Sequence, residues 1–416
     1  MPPSERSIRP TAQSIGFFFG GSSPEHEVSV ITGLQAAAAL DDERVRKIAV
    51  YVTKDGRWMT GEHLLEIENY RDLDSLVEKA TEVGVRPGPG QSLLLDPVGG
   101  GWFSGRPDPL RVDLAFLAFH GGAGENGSVQ GLCETMGVPY TGSGVAASAM
   151  GMDKPTAKAI CREAGVPVTD ATVIREDDWA GSEDEILDQC ERRPGFPAVV
   201  KPTSLGSSIG ISRVENRVEL EAAVEEALRY DWAVLVEECV PNLREINCSV
   251  LGDRSSHRIS ALEEPIAGAG LLSFDDKYRR SSDGGGKFGH GAKRSGMEGM
   301  ASLDRIIPAP LDDEIEERIR TYGSRIFTAL DCSGVVRIDF LLNDATGEVY
   351  FNEINTIPGS LSFYLWDPVG VSFPELVSML VEIALQRHEQ RNRRVRSYDV
   401  NLLEERSIRG LKGSKG

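Results

Sequence analysis

Apolar and polar positions change period along the chain, alternating short buried strands with longer amphipathic helices. Ser14 to Phe19 is an apolar run that ends in Gly20-Gly21-Ser22-Ser23-Pro24-Glu25-His26-Glu27-Val28-Ser29, and a helical pattern follows through Leu40. A strand, a glycine turn and a helix make an α/β unit whose loop opens into a crevice. Lys47 to Thr53 predicts a second strand. Val112 to Phe119 predicts a buried one that ends in His120-Gly121-Gly122-Ala123-Gly124-Glu125-Asn126-Gly127, before another helix. Between them, residues 61–110 read as a helical patch and then a Gly/Pro-rich surface insertion, VRPGPGQSLLLDPVGGGWFSGRPDP. Pro139 to Gly144 reads as a linker, and two helices then bracket Met152-Asp153-Lys154.

The second half is richer in strands. Pro197 to Pro202 runs into the small-residue loop Thr203-Ser204-Leu205-Gly206-Ser207-Ser208-Ile209-Gly210, Val234 to Glu238 is a strand, and Arg244-Glu245-Ile246-Asn247 begins the next. Phe274 to Met300 is a polar Gly/Ser/Lys-rich stretch with the character of a mobile lid. A helix from Asp312 to Leu330 leads into VVRIDFLL and EVYFNEIN, two strands joined by turn chemistry at Asn343-Asp344 to Thr346-Gly347. A last helix from Phe373 to about His388 gives way to a basic tail expected to be disordered.

Composition narrows the class. With 416 residues and 40% hydrophobic content, the chain has room for two or three soluble domains. No apolar run approaches the ~20 residues that span a membrane, and the N-terminus lacks the apolar core of a secretory signal, so a cytosolic protein is expected. Lys+Arg 45 against Asp+Glu 64 gives a net charge of −19, which repels nucleic acid and anionic membranes and leaves any anionic substrate dependent on locally placed lysines. The six cysteines form no C-x-x-C pair, which argues against a zinc site or a disulfide framework.

The candidate chemistry gathers at the hairpin. Side chains alternate along a strand, so Arg337 and Asp339 share one face of the first strand, and Glu353 and Asn355 one face of the second. With the turn near Ala345 or Thr346, Asp339 comes opposite Glu353 to within a residue. Two carboxylates and an amide oxygen suit a hard cation such as Mg²⁺; a plain Arg337–Asp339 ion pair suits the same residues, and both readings stand. Lys201, entering the 203–210 loop, points to phosphate, although the loop lacks the order of a P-loop and precedes a strand. His120 and four glycines at a strand's carboxyl end mark a place where backbone approaches a ligand.

Five separated motifs, GGSSPEHEVS, HGGAGENG with QGLCETMGVPYTGSGVAASAMGMDK, VVKPTSLGSSIG, DDKY, and RIDF with NEINTIPG, resemble those of the D-alanine–D-alanine ligases of the ATP-grasp superfamily. The resemblance covers nearly all of residues 14–388. It implies an α/β fold, α+β in the C-terminal half: a Rossmann-like domain over 1–142, a central ATP-grasp subdomain over 143–237, a C-terminal one over 238–390 carrying the metal site and a long lid, and a tail over 391–416. It also implies ATP and two Mg²⁺ (or Mn²⁺) ions, amino-acid substrates and a homodimer. Lys154, Lys201, Ser208 and Lys277 resemble the phosphate-binding groups. Glu237, Glu238 and Val240 resemble the adenine-reading strand, and Glu245 the acid on the ribose. Asp339, Glu353 and Asn355 resemble the metal ligands, which favours the cation reading. Arg337 and the Gly359 N–H resemble the oxyanion donors; Glu25, Ser207 and Tyr278 resemble the network that binds the first substrate's ammonium and ties down the lid. His120, oriented by Glu125, resembles a contact to the second substrate and the γ-phosphate.

The implied reaction is ATP-dependent formation of D-alanyl-D-alanine through an acyl phosphate, for peptidoglycan precursor synthesis. The tyrosine-type lid at Tyr278 goes with dipeptide and not D-alanyl-D-lactate. Two departures bear on the acceptor. Asn126 stands where the family has aspartate, and Tyr364 stands where the family has the serine that binds the acceptor carboxylate, so Ser362 or the Tyr364 hydroxyl is expected to take over. D-serine or another amino acid remains an alternative acceptor. A non-catalytic ATP-binding regulator is the alternative from another class, and it is disfavoured because Lys277, Arg337 and Glu353 are all present.

Overall fold

The computed structural model describes residues 13–99, 108–206, 209–266 and 305–395. Three sheets carry them. In the first, the Ser14–Gly20 strand lies between and parallel to Arg46–Val52 and Leu114–Leu117, with Phe17, Phe18, Phe19, Val50 and Phe116 all buried. Such two-sided burial explains why these strands read as continuous apolar runs rather than alternating ones. Helix His26–Ala39 packs on this sheet through Val30 and Leu34. The last helix, Phe373–Asn392, adds Leu376, Val377, Leu380 and Val381 to the same core, so the chain returns at its end to its first unit.

Four more strands extend that sheet in antiparallel fashion: Trp58–Thr60, Thr81–Gly88, Ser92–Pro97 and Leu110–Val112. The expected surface insertion is therefore in large part structural, with Leu93 and Leu95 fully buried. Pro87 and Gly88 at one strand's end, the Pro89-Gly90 turn and Pro97 at the next strand's end do not interrupt the ladder. The expected linker is likewise packed. Tyr140, Thr141 and Ser143 are buried, and the Thr141 hydroxyl accepts from the Leu117 N–H at 2.9 Å. The last helix runs to Asn392, past His388 and into the expected tail, and Arg391 is ion-paired with Glu134.

The second sheet is antiparallel in the order Ser212–Val214, Ala198–Pro202, Ala233–Glu238, Ala171–Arg175, covered by helices Glu183–Arg192 and Arg217–Leu228. The third, also antiparallel, is ordered Arg305–Ile306, His257–Pro265, Leu243–Gly252, Gly334–Asn343, Glu348–Asn355. Helices Lys154–Glu163 and Asp313–Ala329 seal one face of it with Ala157, Cys161, Ile319, Ile326 and Phe327 against Ile338, Phe340 and Phe351. The opposite face carries polar side chains and looks toward the site. No single helix among the described residues is long and apolar enough to cross a membrane. One bent pair, Gly359–Val369 with Phe373–Asn392, passes by length and composition, but much of it lies in the core.

Candidate active site

The hairpin sets the register of the site. Asp339 pairs with Glu353 and Arg337 with Asn355, while Phe340 pairs with Phe351, which leaves Asn352 as the extra residue of a bulge. One inserted residue shifts side-chain parity by one. Without it, Phe351 in the core would force Glu353 into the core as well; with it, Glu353 and Asn355 join Arg337 and Asp339, and Ile354 turns inward. The same row continues across the sheet, because Asp339 pairs with Asn247 and Asn247 with Glu263. Glu353, Asp339, Asn247 and Glu263 thus stand side by side on four strands.

Arg337 donates from Nε and Nη2 to the two oxygens of Asp339, at 2.7 and 2.8 Å, and Asn355 Nδ2 donates to the same carboxylate at 3.2 Å. The ion pair weighed from sequence is therefore present, on the same face as the candidate ligands. Burial opposes the charge on Arg337, but Asp339 outweighs it and holds the guanidinium protonated. Among the described residues there is no cluster of three or more His, Cys, Asp or Glu side chains able to hold a metal ion. A set of two carboxylates and one amide falls short of that count by composition; it suits a cation that takes its other oxygens from phosphates.

Lysines approach from the other side. Lys154, the first residue of its helix, places Nζ 3.5 Å from Glu353 Oε2 and donates to the Leu205 carbonyl at 2.6 Å. Lys201 donates to Asn352 Oδ1 at 2.9 Å and is ion-paired with Glu237. Lys158, one turn after Lys154, is fully buried. Its Nζ lies 2.8 Å from Glu237 Oε2, 3.0 Å from Thr169 Oγ1 and 3.3 Å from the Phe351 carbonyl. Burial alone would raise the Glu237 carboxyl, but two ammonium groups outweigh it and hold the group at about 2. The lysines share this one carboxylate, so for Lys158 burial wins and its pKa falls below the ordinary lysine value. Glu237, expected on the adenine-reading strand, has its carboxylate committed to this cluster. Glu238 is exposed with its N–H on the Asp170 carbonyl, Val240 is buried, and Glu245 shares the polar face of its strand with Asn247.

The glycine loops close the site. The Glu25 carboxylate sits where side chains on Gly121 and Gly206 would be: a Cβ on Gly121 would meet Oε2 at 2.8 Å, and one on Gly206 would meet it at 3.0 Å. Gly121 also has φ +67°, so glycine is required there twice over. His120 is buried, with Nε2 2.8 Å from Thr32 Oγ1, which in turn accepts from the Ser360 N–H at 2.9 Å. Burial, helped by Arg337, lowers its pKa to about 4, so the ring is neutral at pH 7. Glu125 does not hold His120 as expected. It accepts from the Gly121 N–H at 2.9 Å and the Ile357 N–H at 3.2 Å, tying two loops together, and burial with the nearby Glu25 raises it to about 7.

After Gly359, Ser360, Leu361 and Ser362 all take φ between +48° and +54°, a left-handed run rare for residues with a Cβ and the kind of strain that clusters at functional sites. Ser362 Oγ is buried without a hydrogen-bond partner among the described residues, and the Tyr364 hydroxyl donates to Glu263 Oε1 at 3.3 Å. Ser207, Ser208, Lys277, Tyr278 and the expected lid lie outside the described residues. Of the expected residues, Glu25, His120, Lys154, Lys201, Glu237, Arg337, Asp339, Glu353 and Asn355 are linked by the contacts above. Lys158, Thr32, Asn352, Glu263 and Arg305 were not picked out from sequence. For Lys158 a signal existed, its i+4 spacing from Lys154.

Comparison with known proteins follows the same outline. Residues 14–143 match the family model described as D-ala D-ala ligase N-terminus, and residues 160–382 the one described as D-ala D-ala ligase C-terminus. The chain belongs to the D-alanine–D-alanine ligase family. A D-alanine–D-alanine ligase of Thermosipho melanesiensis is 37% identical over 390 residues, covering 94% of this chain and 98% of the relative. Among solved structures, the ligase of Coxiella burnetii aligns with TM-score 0.72 and 26% identity over 91% of this chain and 96% of its own. The VanG D-Ala:D-Ser ligase of Enterococcus faecalis aligns with TM-score 0.71 and 27% identity over 89% and 99%. This chain is accordingly an ATP-dependent ligase of mixed α/β structure, from a family that uses ATP and a divalent metal.

Proposed function

We propose that this ligase condenses two D-alanines into D-alanyl-D-alanine for the cell-wall precursor, in the cytosol and as a homodimer, with ATP bound between two ATP-grasp subdomains. The observation that carries the reading is the meeting of Lys154 from the central segment with Glu353 on the acidic face of the C-terminal sheet. That contact puts phosphate-seeking cations and metal-seeking acids at one place. Asp339, Glu353 and Asn355 would hold Mg²⁺ or Mn²⁺, which when bound draws charge off the phosphates.

Glu25 binds the ammonium of the first D-alanine. The carboxylate of that D-alanine attacks the γ-phosphate of ATP while Lys154, Lys201 and, from the stretch outside the described residues, Lys277 spread the negative charge. ADP leaves and an acyl phosphate remains, with the Glu25, Ser207 and Tyr278 network proposed to exclude water from it and Ser208 assigned to the nucleotide. Neutral His120, held by Thr32, offers a hydrogen bond to the transferring group without adding a charge. The second D-alanine then attacks through its neutral amine. Arg337 and the Gly359 N–H receive the oxyanion, and phosphate departs. Glu238, Val240 and Glu245 are assigned to the adenosine.

D-serine as acceptor is the second and less supported reading, raised by the likeness to a D-Ala:D-Ser ligase. Mass spectrometry of products from D-alanine, D-serine and L-alanine, singly and mixed, separates the two. The expected dominant product is D-alanyl-D-alanine; a mixed D-alanyl-D-serine product in preference would replace the first reading.

A further inference from the structure

At the end of the polar row farthest from Glu353 lies a cluster that the ligase reading leaves unassigned. Glu263 is buried and accepts from Asn247 Nδ2 at 3.0 Å, from Arg305 Nη1 at 2.9 Å and from the Tyr364 hydroxyl at 3.3 Å. The Arg305 guanidinium lies 3.9 Å above the Tyr364 ring, its side chain only 10% exposed. Arg305 is fixed from three sides: by its edge-strand pairing with Pro265, by the carboxylate and by the ring.

Position and charge say what such a group meets. Glu263 stands two strands from Asp339 in one row, roughly 10 Å at the ~4.8 Å spacing of neighbouring strands. Asn247 lies between them, and Arg337, two residues from Asp339 on the same strand, feels both Tyr364 and Glu263 electrostatically. An amino acid whose amine faces the acyl carbon beside Arg337 extends its other end toward this cluster. The attacking amine is neutral, so the α-carboxylate is the acceptor's only charge, and it calls for a cation. Glu263 already takes three donors and serves as an anchor. A guanidinium has five N–H donors in a fork that matches a carboxylate, so bonding to Glu263 and to the Tyr364 hydroxyl and binding a ligand are compatible.

We propose that Arg305, braced by Glu263 and Tyr364, binds the α-carboxylate of the acceptor amino acid and is the specificity determinant that replaces a serine at position 364. The assignment rests on the ligase reading. It also explains why tyrosine is tolerated there: its ring and hydroxyl hold Arg305 in place instead of touching the substrate's carboxylate.

The test compares two acceptors, D-alanine and D-alaninamide, which lacks the negative charge, with D-alanine as donor and products resolved by mass spectrometry. Arg305→Met should lower kcat/KM for acceptor D-alanine on the order of 10- to 100-fold, the span of a charge-assisted hydrogen bond, and leave D-alaninamide within about 2-fold. Glu263→Gln, which keeps the shape and loosens the brace, should show the same selective loss to a smaller degree, and it decides the matter if Arg305→Met does not fold. Equal losses for both acceptors, or no loss for D-alanine, would overturn the assignment, as would Ser362→Ala producing the selective loss when the other two do not. Wild-type phosphate release with D-alanine alone is the control; its absence would refute the ligase reading itself.

Discussion

Replacing Glu237 with glutamine tests the buried charge cluster that positions Lys201. The substitution keeps shape and hydrogen-bonding capacity but leaves the ammonium groups of Lys158 and Lys201 facing each other without a counter-ion. Removing one partner of a buried ion pair costs about 3–5 kcal/mol. The depressed carboxyl leads to a similar figure: moving it from its ordinary 4.5 to about 2, at ~1.4 kcal/mol per pH unit, corresponds to ~3 kcal/mol. The folded-state pKa is depressed, so in the wild type this contribution is fully present above pH ~4.5 and is lost as pH falls toward ~2. In Glu237→Gln the destabilisation lies in two protonated lysines, so it should lessen as pH rises and one of them deprotonates. Urea unfolding at pH 7 and pH 10 measures this, with the expected loss of ~3 kcal/mol at pH 7 shrinking at pH 10. A loss below ~1 kcal/mol at pH 7, the scale of an exposed pair, or one that grows with pH, would refute the reasoning.

Other substitutions probe the site itself. Glu353→Ala should abolish phosphate release stimulated by D-alanine while circular dichroism and the melting transition stay near wild type; unchanged turnover would rule out the metal assignment. Arg337→Met should lower kcat on the order of 10²–10³-fold, as loss of an oxyanion donor does, with the KM for ATP little moved; a selective rise in that KM would place Arg337 on the nucleotide instead. The Glu125 carboxyl is raised from 4.5 to about 7, so its contribution to stability is full below pH ~4.5 and is lost, to ~3 kcal/mol, as pH climbs through ~7. Unfolding curves of Glu125→Gln between pH 4 and 8 should lack that decline, and an unaltered slope would show that Glu125 is not its source.

Local patterns carried the elements that the chain writes locally. The hairpin around Asn343 to Gly347, the glycine turn before His26–Ala39 and the strand-end loop at His120 follow from side-chain period and turn chemistry, and they stand where expected. The Thr81–Gly88 and Ser92–Pro97 strands were hidden because prolines and glycines at strand ends and turns look the same as those in a loop until the partner strand is known. Lys158 and Glu263 were hidden for a different reason. A buried charge is defined by its counter-ion, and these partners lie 79 and 42 residues away, at Glu237 and Arg305. The family resemblance puts Glu125 on His120, whereas its carboxylate accepts from Gly121 nearby and from Ile357 at the far end of the chain, a partner that no local pattern shows. Even the bulge at Asn352 leaves no mark on the pattern, although it turns Glu353 to the site face.

The central claim, that the donor's carboxylate is activated by phosphoryl transfer in this cleft before the second amine attacks, is tested most directly with D-alanine labelled with ¹⁸O in its carboxylate. Attack on the γ-phosphate makes one of those oxygens the bridge of the acyl phosphate, and collapse of the tetrahedral adduct carries it away on phosphorus. One ¹⁸O is expected in every phosphate released alongside dipeptide. Unlabelled phosphate, released together with ADP and dipeptide, would contradict it.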